Sequence, residues 1–591
     1  MKKPLTFTSE LCSNEINVGD IVELRDFTPF IPEGALANED DADKKEKWEL
    51  REYLLIDGTP CKMLLCDYRL DHKTEDLLHY DDKGTPPVIE IKVPFNGRYA
   101  IWAGMLYDGT IDLALDDEDF IGVFPVHGAR YGRGFADPKR EYRMFWRNAE
   151  LKDSVIRIRV KHGTYSVADL GRVFSSIASL QFVRLPDDAP LAPIDNNADK
   201  EFIVIVDGFS HYFGWGKPGE CIDNRLVRAY KGSDVKTFFT QIMGPLNWKS
   251  DVNSYLGEGM TEESFVGKRS GDRRVVKYIE DTIKNGNEAI RKMTEECHKY
   301  GMENHLSIRA NLDWKGDSKY MKGNNDWNGR FWNEHHETCC LPGSAQLDFG
   351  KKEVQDYHLA LYRDTLEKFD IDGINLDLTR WPRCLRAELH GPEILVNLCK
   401  GMKEIAREFE AKRGHRIRVS LTMVEYFHSG TTLEAQAIDF EALCASGALD
   451  FICLQALDHE KYVEIAHKYG VQLHGVLEDY TPYHKLEKDD PLWACPDGTT
   501  FDDPCAGDEF ADDDKPKYSY VGSGVAPFER YRQMDKYYSQ GLDGTAVSNN
   551  FAGTLYFRDC GHSDAVAKHV EDFTVFGQIP GEYIFFLQKA K

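Results

Sequence analysis

No run of about 18 consecutive apolar residues occurs in the 591-residue chain, so no segment has the length and character of a membrane-spanning helix. The start, Met1-Lys2-Lys3 followed by Pro4 to Glu10, has no apolar core of the kind a secretory signal needs. As written the chain is therefore expected in the cytoplasm, and secreted or periplasmic only if a leader has been removed. Positive charge is scarce: 73 lysines and arginines stand against 99 acidic residues, for a formal net charge of −26. Such a balance repels nucleic-acid phosphates and anionic lipid, so neither nucleic acid nor membrane is expected as a partner. The fourteen cysteines include no Cys-x-x-Cys and no Cys/His spacing of a zinc site. Cys399, Cys444 and Cys453 lie in apolar contexts and read as reduced core residues, whereas Cys495 and Cys505 flank an acidic loop and would bridge only in an exported protein. Phosphate-binding glycine motifs are also missing, both Gly-x-x-x-x-Gly-Lys-Ser/Thr and Gly-x-Gly-x-x-Gly. No cofactor is expected.

What is present is apolar and aromatic material, 42% and 12% of the residues, enough for two or three cores. Up to about residue 190 short strand-like runs alternate with turns. Val155-Ile-Arg-Ile-Arg-Val160 has strict period two, as a half-buried strand requires. This region reads as an all-β sandwich or jelly roll. Its Trp102, Tyr107, Tyr131, Tyr142 and Trp146 could form a sugar-binding face or simply pack its core. The Pro- and Asp-rich stretch from Leu185 to Asp199 reads as a linker, which places a boundary near 195.

Beyond it, apolar strands alternate with helical patterns, the sign of a parallel α/β barrel. Eight strands can be counted: Phe202–Val206, Thr237–Met243, His305–Arg309, Gly373–Leu378, Ile417–Met423, Leu449–Gln455, Val471–Leu477 and Gly544–Ser548. Eight is the number of a (β/α)8 TIM barrel, expected over 196–575, with 576–591 as a closing strand. Two long loops are expected, about Trp314 to Phe349 and about Thr481 to Tyr520.

In such barrels chemistry sits at the strand C-termini. Asp207 and His211 follow the first strand, Arg309 and Asn311 the third, Asp377, Arg380 and Trp381 the fourth. Glu425 follows the fifth, Gln455 the sixth, Glu478 the seventh and Asn549 the eighth. Cleaving a glycosidic bond takes two carboxyl groups, one to protonate the leaving oxygen and one as nucleophile or base. Asp377, with Arg380 close by in sequence, suits the nucleophile or stabilising anion. Glu425 and Glu478, beside Tyr426 and Tyr480, suit the acid/base, with Glu425 preferred because its strand adjoins that of Asp377. Asp207, His211, Arg309, Asn311, Arg380, Trp381, Gln455 and Asn549 are then expected to bind substrate hydroxyls. The bland alternative is that Asp377 and Arg380 form a structural clamp. A metal-dependent hydrolase or lyase would use Asp207 with His211, or Glu334-His335-His336, but the latter lacks the i, i+4 spacing of a zinc helix.

The segment Leu347 to Leu361 leading into Asp372-Gly-Ile-Asn-Leu-Asp-Leu-Thr-Arg380-Trp-Pro resembles the family-10-like glycoside hydrolases, bacterial TIM-barrel proteins. The resemblance extends more loosely through Asp439–Leu443 and Gly447–Ile452. It implies a hydrolase of O-glycosyl bonds acting in polysaccharide degradation, with an accessory β-domain. Asn375 departs from the pattern, where an acidic residue is frequent. Asp on strand four and Glu on strand five also look like α-amylase-type barrels, with Asn375 where those have Arg, and that likeness implies retention with Asp377 as nucleophile. The expectation is therefore a glycoside hydrolase acting on an oligo- or polysaccharide. The alternatives are a non-catalytic glycan-binding protein on the same scaffold, or a metal-dependent hydrolase or lyase. Self-association stays open.

Overall fold

Eight apolar segments pair edge to edge, each parallel to the next, and the last closes on the first. In the computed structural model they are β1 (Glu201–Val206), β2 (Val235–Met243), β3 (Glu303–Arg309), β4 (Gly373–Asp377), β5 (Arg418–Val424), β6 (Phe451–Gln455), β7 (Gln472–Leu477) and β8 (Gly544–Val547), forming a closed barrel. Closure is the pairing of Glu201 with Gly544 through Val204 with Val547. The structure describes residues 4–38, 46–54, 60–69, 86–105, 111–118, 120–123, 140–160, 172–189, 198–206, 233–265, 270–310, 328–379, 384–425, 431–456, 458–477, 527–547 and 560–567, with 209, 212, 226–227, 230, 570, 585–586 and 588–589.

Successive strand residues face opposite ways, and both faces here are covered, which is why the strands read as nearly unbroken apolar runs. Phe202, Val204, Leu306, Ile374, Leu376, Val419 and Leu421 belong to the core shared with the helices. Ile203, Ile205, Phe239, Phe451, Cys453, Val476 and Ala546 form a separate cluster inside the barrel. The helices are α1 (Ser270–Lys284), α2 (Ala289–Lys299), α3 (Gly329–Cys339), α4 (Lys352–Lys368), α5 (Glu393–Arg413), α6 (Phe440–Ala445), α7 (Glu460–Lys468) and α8 (Pro527–Ser539). In α5 the buried residues Leu395, Leu398, Cys399, Met402, Ile405, Ala406 and Phe409 recur at helical spacing, and Gly414 ends it in a left-handed conformation. The segment expected as a loop between Trp314 and Phe349 contains α3, which buries Trp332 and Cys339.

The N-terminal face of the barrel repeats one device. Asp372, Asp450 and Asp543 each precede a strand and accept the backbone N–H of the preceding strand, from Asn304 at 2.8 Å, Val419 at 2.7 Å and Leu473 at 2.8 Å. Each also meets a helix cation or histidine: His298 at 2.9 Å, Lys403 at 2.8 Å and His467 at 2.9 Å. Above this rim lies a buried charged layer. Arg418 donates to both oxygens of Glu201, at 2.7 and 2.8 Å, and to Glu303 at 3.1 Å, with its guanidinium 4.2 Å from the Phe451 ring centroid. Burial opposes the charge on Glu303, yet His305 and Arg418 hold its carboxyl down to about 2. A buried pair so completely bonded keeps its register at a desolvation cost.

The described strands between residues 5 and 184 form antiparallel sheets, apart from the short parallel pair of Leu5–Thr6 with Ile21–Leu24. One runs in the order Leu5–Thr6, Ile21–Leu24, Ser179–Arg184, Gly97–Met105, Arg140–Leu151, Phe585–Phe586. A second is Ile89–Lys92, Val155–Val160, Ile111–Leu115, Ile121–Val123, and a third Arg172–Ile177, Pro60–Arg69, Glu49–Leu54, Gln588–Lys589. Val155–Val160 buries Ile156, Ile158 and Val160 and leaves both arginines half-buried, as its alternation requires. Trp102 and Trp146 are buried, so these two pack the interior rather than offer a sugar-binding face. Tyr107, Tyr131 and the Tyr142 side chain lie outside the described residues.

Candidate active site

Asp377 is the last residue of β4, and the pleat sends it inward with Gly373 and Asn375. Below it runs a belt of polar side chains from neighbouring strands. Ser307 donates to Asn375 Oδ1 at 2.9 Å, Thr422 to the same oxygen at 3.2 Å, and Asn375 Nδ2 to Ser420 at 2.9 Å. Asn375 is thus the hub of this layer, with both acceptor positions of Oδ1 and one Nδ2 N–H engaged.

Asp377 itself is 1% exposed. Its Oδ2 accepts from Gln241 Nε2 on β2 and from Arg309 Nε at 3.4 Å on β3, and its Oδ1 accepts the Thr379 backbone N–H at 2.7 Å. Arg309 Nη1 leans on the Met243 sulfur at 3.0 Å, a weak acceptor. A carboxylate offers about four lone-pair positions. Three are occupied by described residues, which leaves one on Oδ1. Among the described residues the arginine that reaches Asp377 is Arg309, expected as a substrate-binding residue.

Glu425 follows β5 and is 3% exposed. Its carboxylate meets Lys461 of α7 at 3.4 Å, and its backbone N–H bonds to the carbonyl of Gln455 at 2.8 Å. Asp377 pairs with Thr422 in the β4–β5 register, so Glu425 stands three residues, about 10 Å, further along the strand direction. The two carboxylates share no hydrogen-bond partner. Gln455, half-buried, ends β6 beside Glu425. Of the other residues expected at the site, Asp207, His211, Asn311, Arg380, Trp381, Glu478 and Asn549 lie outside the described residues.

The sequence reading missed Gln241, Ser307, Ser420, Thr422 and Lys461. The first four had a readable signal: each is a polar residue inside a strand, flanked on one or both sides by apolar residues. Lys461 had none, being one lysine among many on an exposed helix face. Glu334 and His335 are exposed on α3, while His336 stacks on Trp332 with centroids 4.5 Å apart. Among the described residues no group of three His, Cys, Asp or Glu side chains is placed to hold a metal ion.

A cavity of about 30 Å³ lies outside the barrel wall, where the ends of β2 and β3 meet α3 and α4, among Ile242, Ala310, Phe331, Trp332, Tyr357 and His358. Neither ring nitrogen of His358 has a hydrogen-bond partner, and burial pushes its pKa down to about 3.

No protein-family model and no curated protein matches the sequence. Among solved structures, the chain is similar to the C-terminal domain of a putative chitinase from Desulfitobacterium hafniense, with 12% identity, 63% of this chain and 99% of that one covered, and a TM-score of 0.33. It is also similar to a glycoside hydrolase family 18 N-acetylglucosaminidase from Paenibacillus barengoltzii, at 10% identity, 59% and 94% coverage and a TM-score of 0.31. A third is a family 113 β-1,4-mannanase, at 8% identity, 63% and 98% coverage and a TM-score of 0.30. The resemblance to family-10-like enzymes finds no support in these comparisons. Likenesses this distant carry no argument about chemistry, and the barrel rests on its own strand pairing.

Proposed function

We propose that this chain is a glycoside hydrolase acting on an oligo- or polysaccharide at the C-terminal mouth of its barrel, with Asp377 as its central carboxylate. One observation carries the reading. Asp377 ends an inward-facing strand position and is fixed there by donors from β2, β3 and the Thr379 backbone, with one acceptor position left over. A carboxylate held this way is pre-organised to meet positive charge developing at an anomeric carbon. In this reading the leaving oxygen takes a proton from Glu425 or Glu478 as the bond to the anomeric carbon breaks. Water then supplies the new hydroxyl and returns a proton to the glutamate. Retention or inversion depends on the carboxyl separation, about 5–5.5 Å for the first and 6.5–9.5 Å for the second. The residues to 195 belong to an accessory β-sandwich in this scheme, those from 196 to 575 to the catalytic barrel, and those from 576 on to a closing strand.

The test is release of reducing sugar from a panel of neutral glycosides and polysaccharides, with Glu425→Gln and Glu478→Gln compared on any substrate found. The acid/base variant should lose activity on substrates with poor leaving groups and keep more on activated aryl glycosides. A second reading draws on the burial of Asp377: a glycan-binding protein on a catalytically silent barrel. It predicts saturable binding of a sugar that is never turned over.

A further inference from the structure

Gln241 is 1% exposed and projects from β2 into the barrel. Its amide has a fixed sense, because an ionised carboxylate only accepts and so Nε2 must face Asp377 Oδ2. That leaves Oε1 as a buried acceptor with no hydrogen-bond partner. At the same level Ser307 and Ser420, and Thr422 one step above, are each bonded to Asn375. On the other side Ile205 and Val206 of β1 pair with Phe239 and Thr240, below Gln241, and the β1 position level with it lies outside the described residues. An orphaned buried acceptor loses its bond to water and regains nothing, and a methionine or leucine would fill the place without that loss.

Resting on the hydrolase reading, we infer that Gln241 is a positioning and specificity residue of this site. Its Nε2 orients Asp377, and its Oε1 accepts a hydrogen bond from a neutral donor of the ligand, a sugar hydroxyl. The chemistry selects that class. A carbonyl oxygen beside a carboxylate repels anionic groups such as uronates. Among the described residues the cation that reaches this site, Arg309, is already engaged by Asp377. A ligand hydroxyl that donates to Oε1 relieves the orphan in the complex alone, so a deoxy or methylated sugar at that position is rejected.

Two variants of the full-length protein separate this from a purely structural role. Gln241→Met keeps the volume and removes both functions. We expect kcat to fall at least tenfold and KM to rise at least tenfold on the best glycoside of the panel, with thermal stability unchanged or higher. Gln241→Glu keeps an acceptor but sets a second carboxyl against Asp377. The two then share a proton, and the acid limb of kcat/KM moves up by a pH unit or more while KM changes little. A Gln241→Glu profile that overlays the wild type, with Gln241→Met active at wild-type KM, overturns the inference. If no glycoside is turned over, the hydrolase reading fails separately. The inference is then read by calorimetric titration of wild type and Gln241→Met with the neutral oligosaccharides of the panel, where no binding to wild type, or equal affinity for both, overturns it.

Discussion

His358 and His474 are both buried, and burial pushes their pKa values to about 3 and about 4. Both are therefore neutral in the folded chain near neutrality, while the same residues in the unfolded chain take up a proton below about pH 6.5. The unfolded state then binds more protons, so stability is full above about pH 6.5 and falls as the pH is lowered towards 4. Each histidine contributes about 1.4 kcal/mol per pH unit in that window. Urea unfolding at a series of pH values should show this slope, and His358→Leu should remove one histidine's share of it. A variant curve parallel to the wild type would show that His358 is not neutral in the fold. The lowered carboxylates act at more acid pH: Glu303, held at about 2, gives up its share of stability only as the pH drops below about 4.5.

At the scale of elements, the turn that starts a strand is read directly from sequence. Ile371-Asp372-Gly373, Leu449-Asp450-Phe451 and Leu542-Asp543-Gly544 share an apolar–Asp–strand pattern, and in each the Asp side chain ties two strands together. The glycines answer to close approach. A Cβ on Gly544 would lie 2.0 Å from the Glu201 backbone oxygen, and one on Gly373 would lie 2.5 Å from the His305 ring. Backbone in a closed barrel cannot retreat, whereas an imidazole can turn. Gly544→Ala should therefore cost more than Gly373→Ala in chemical denaturation, and the reverse order would contradict the packing described.

All eight barrel strands and most helices were legible because long apolar runs and helical periodicity survive without tertiary context. The inward polar residues below the strand ends showed only as polar positions within the strands, and nothing in the sequence gave them a role. The positions at or just past the strand ends include Asp377 and Glu425 but leave out Gln241, whose partner comes from β4, 136 residues away. Helix α3 was hidden for another reason: with few buried residues, it offers little period to detect. Asn375, read as a departure from a family pattern, proves to be the centre of a hydrogen-bonded layer.

At the scale of the whole molecule, the end of the chain returns to its beginning. Phe585 and Phe586 pair with Glu141 and Arg140, while Gln588 and Lys589 pair with Leu54 and Tyr53 in a different sheet. One short segment thus extends an edge of two sheets. Removing residues 582–591 should lower the thermal midpoint by a few degrees, since each kcal/mol lost in a region of this size shifts it by about 2–4 °C. A midpoint unmoved by the truncation would show that these pairings add nothing.

The central claim is that Asp377 carries glycosidic bond cleavage, and steady-state turnover of Asp377→Asn on the best glycoside tests it most directly. Circular dichroism and the thermal midpoint of the variant serve as the control for folding. The expected result is a folded protein whose kcat falls by about three orders of magnitude or more, a loss of at least about 4 kcal/mol of transition-state stabilisation. A folded variant that turns over at a rate near the wild type would contradict it and leave Asp377 as a clamp for Arg309 and Gln241.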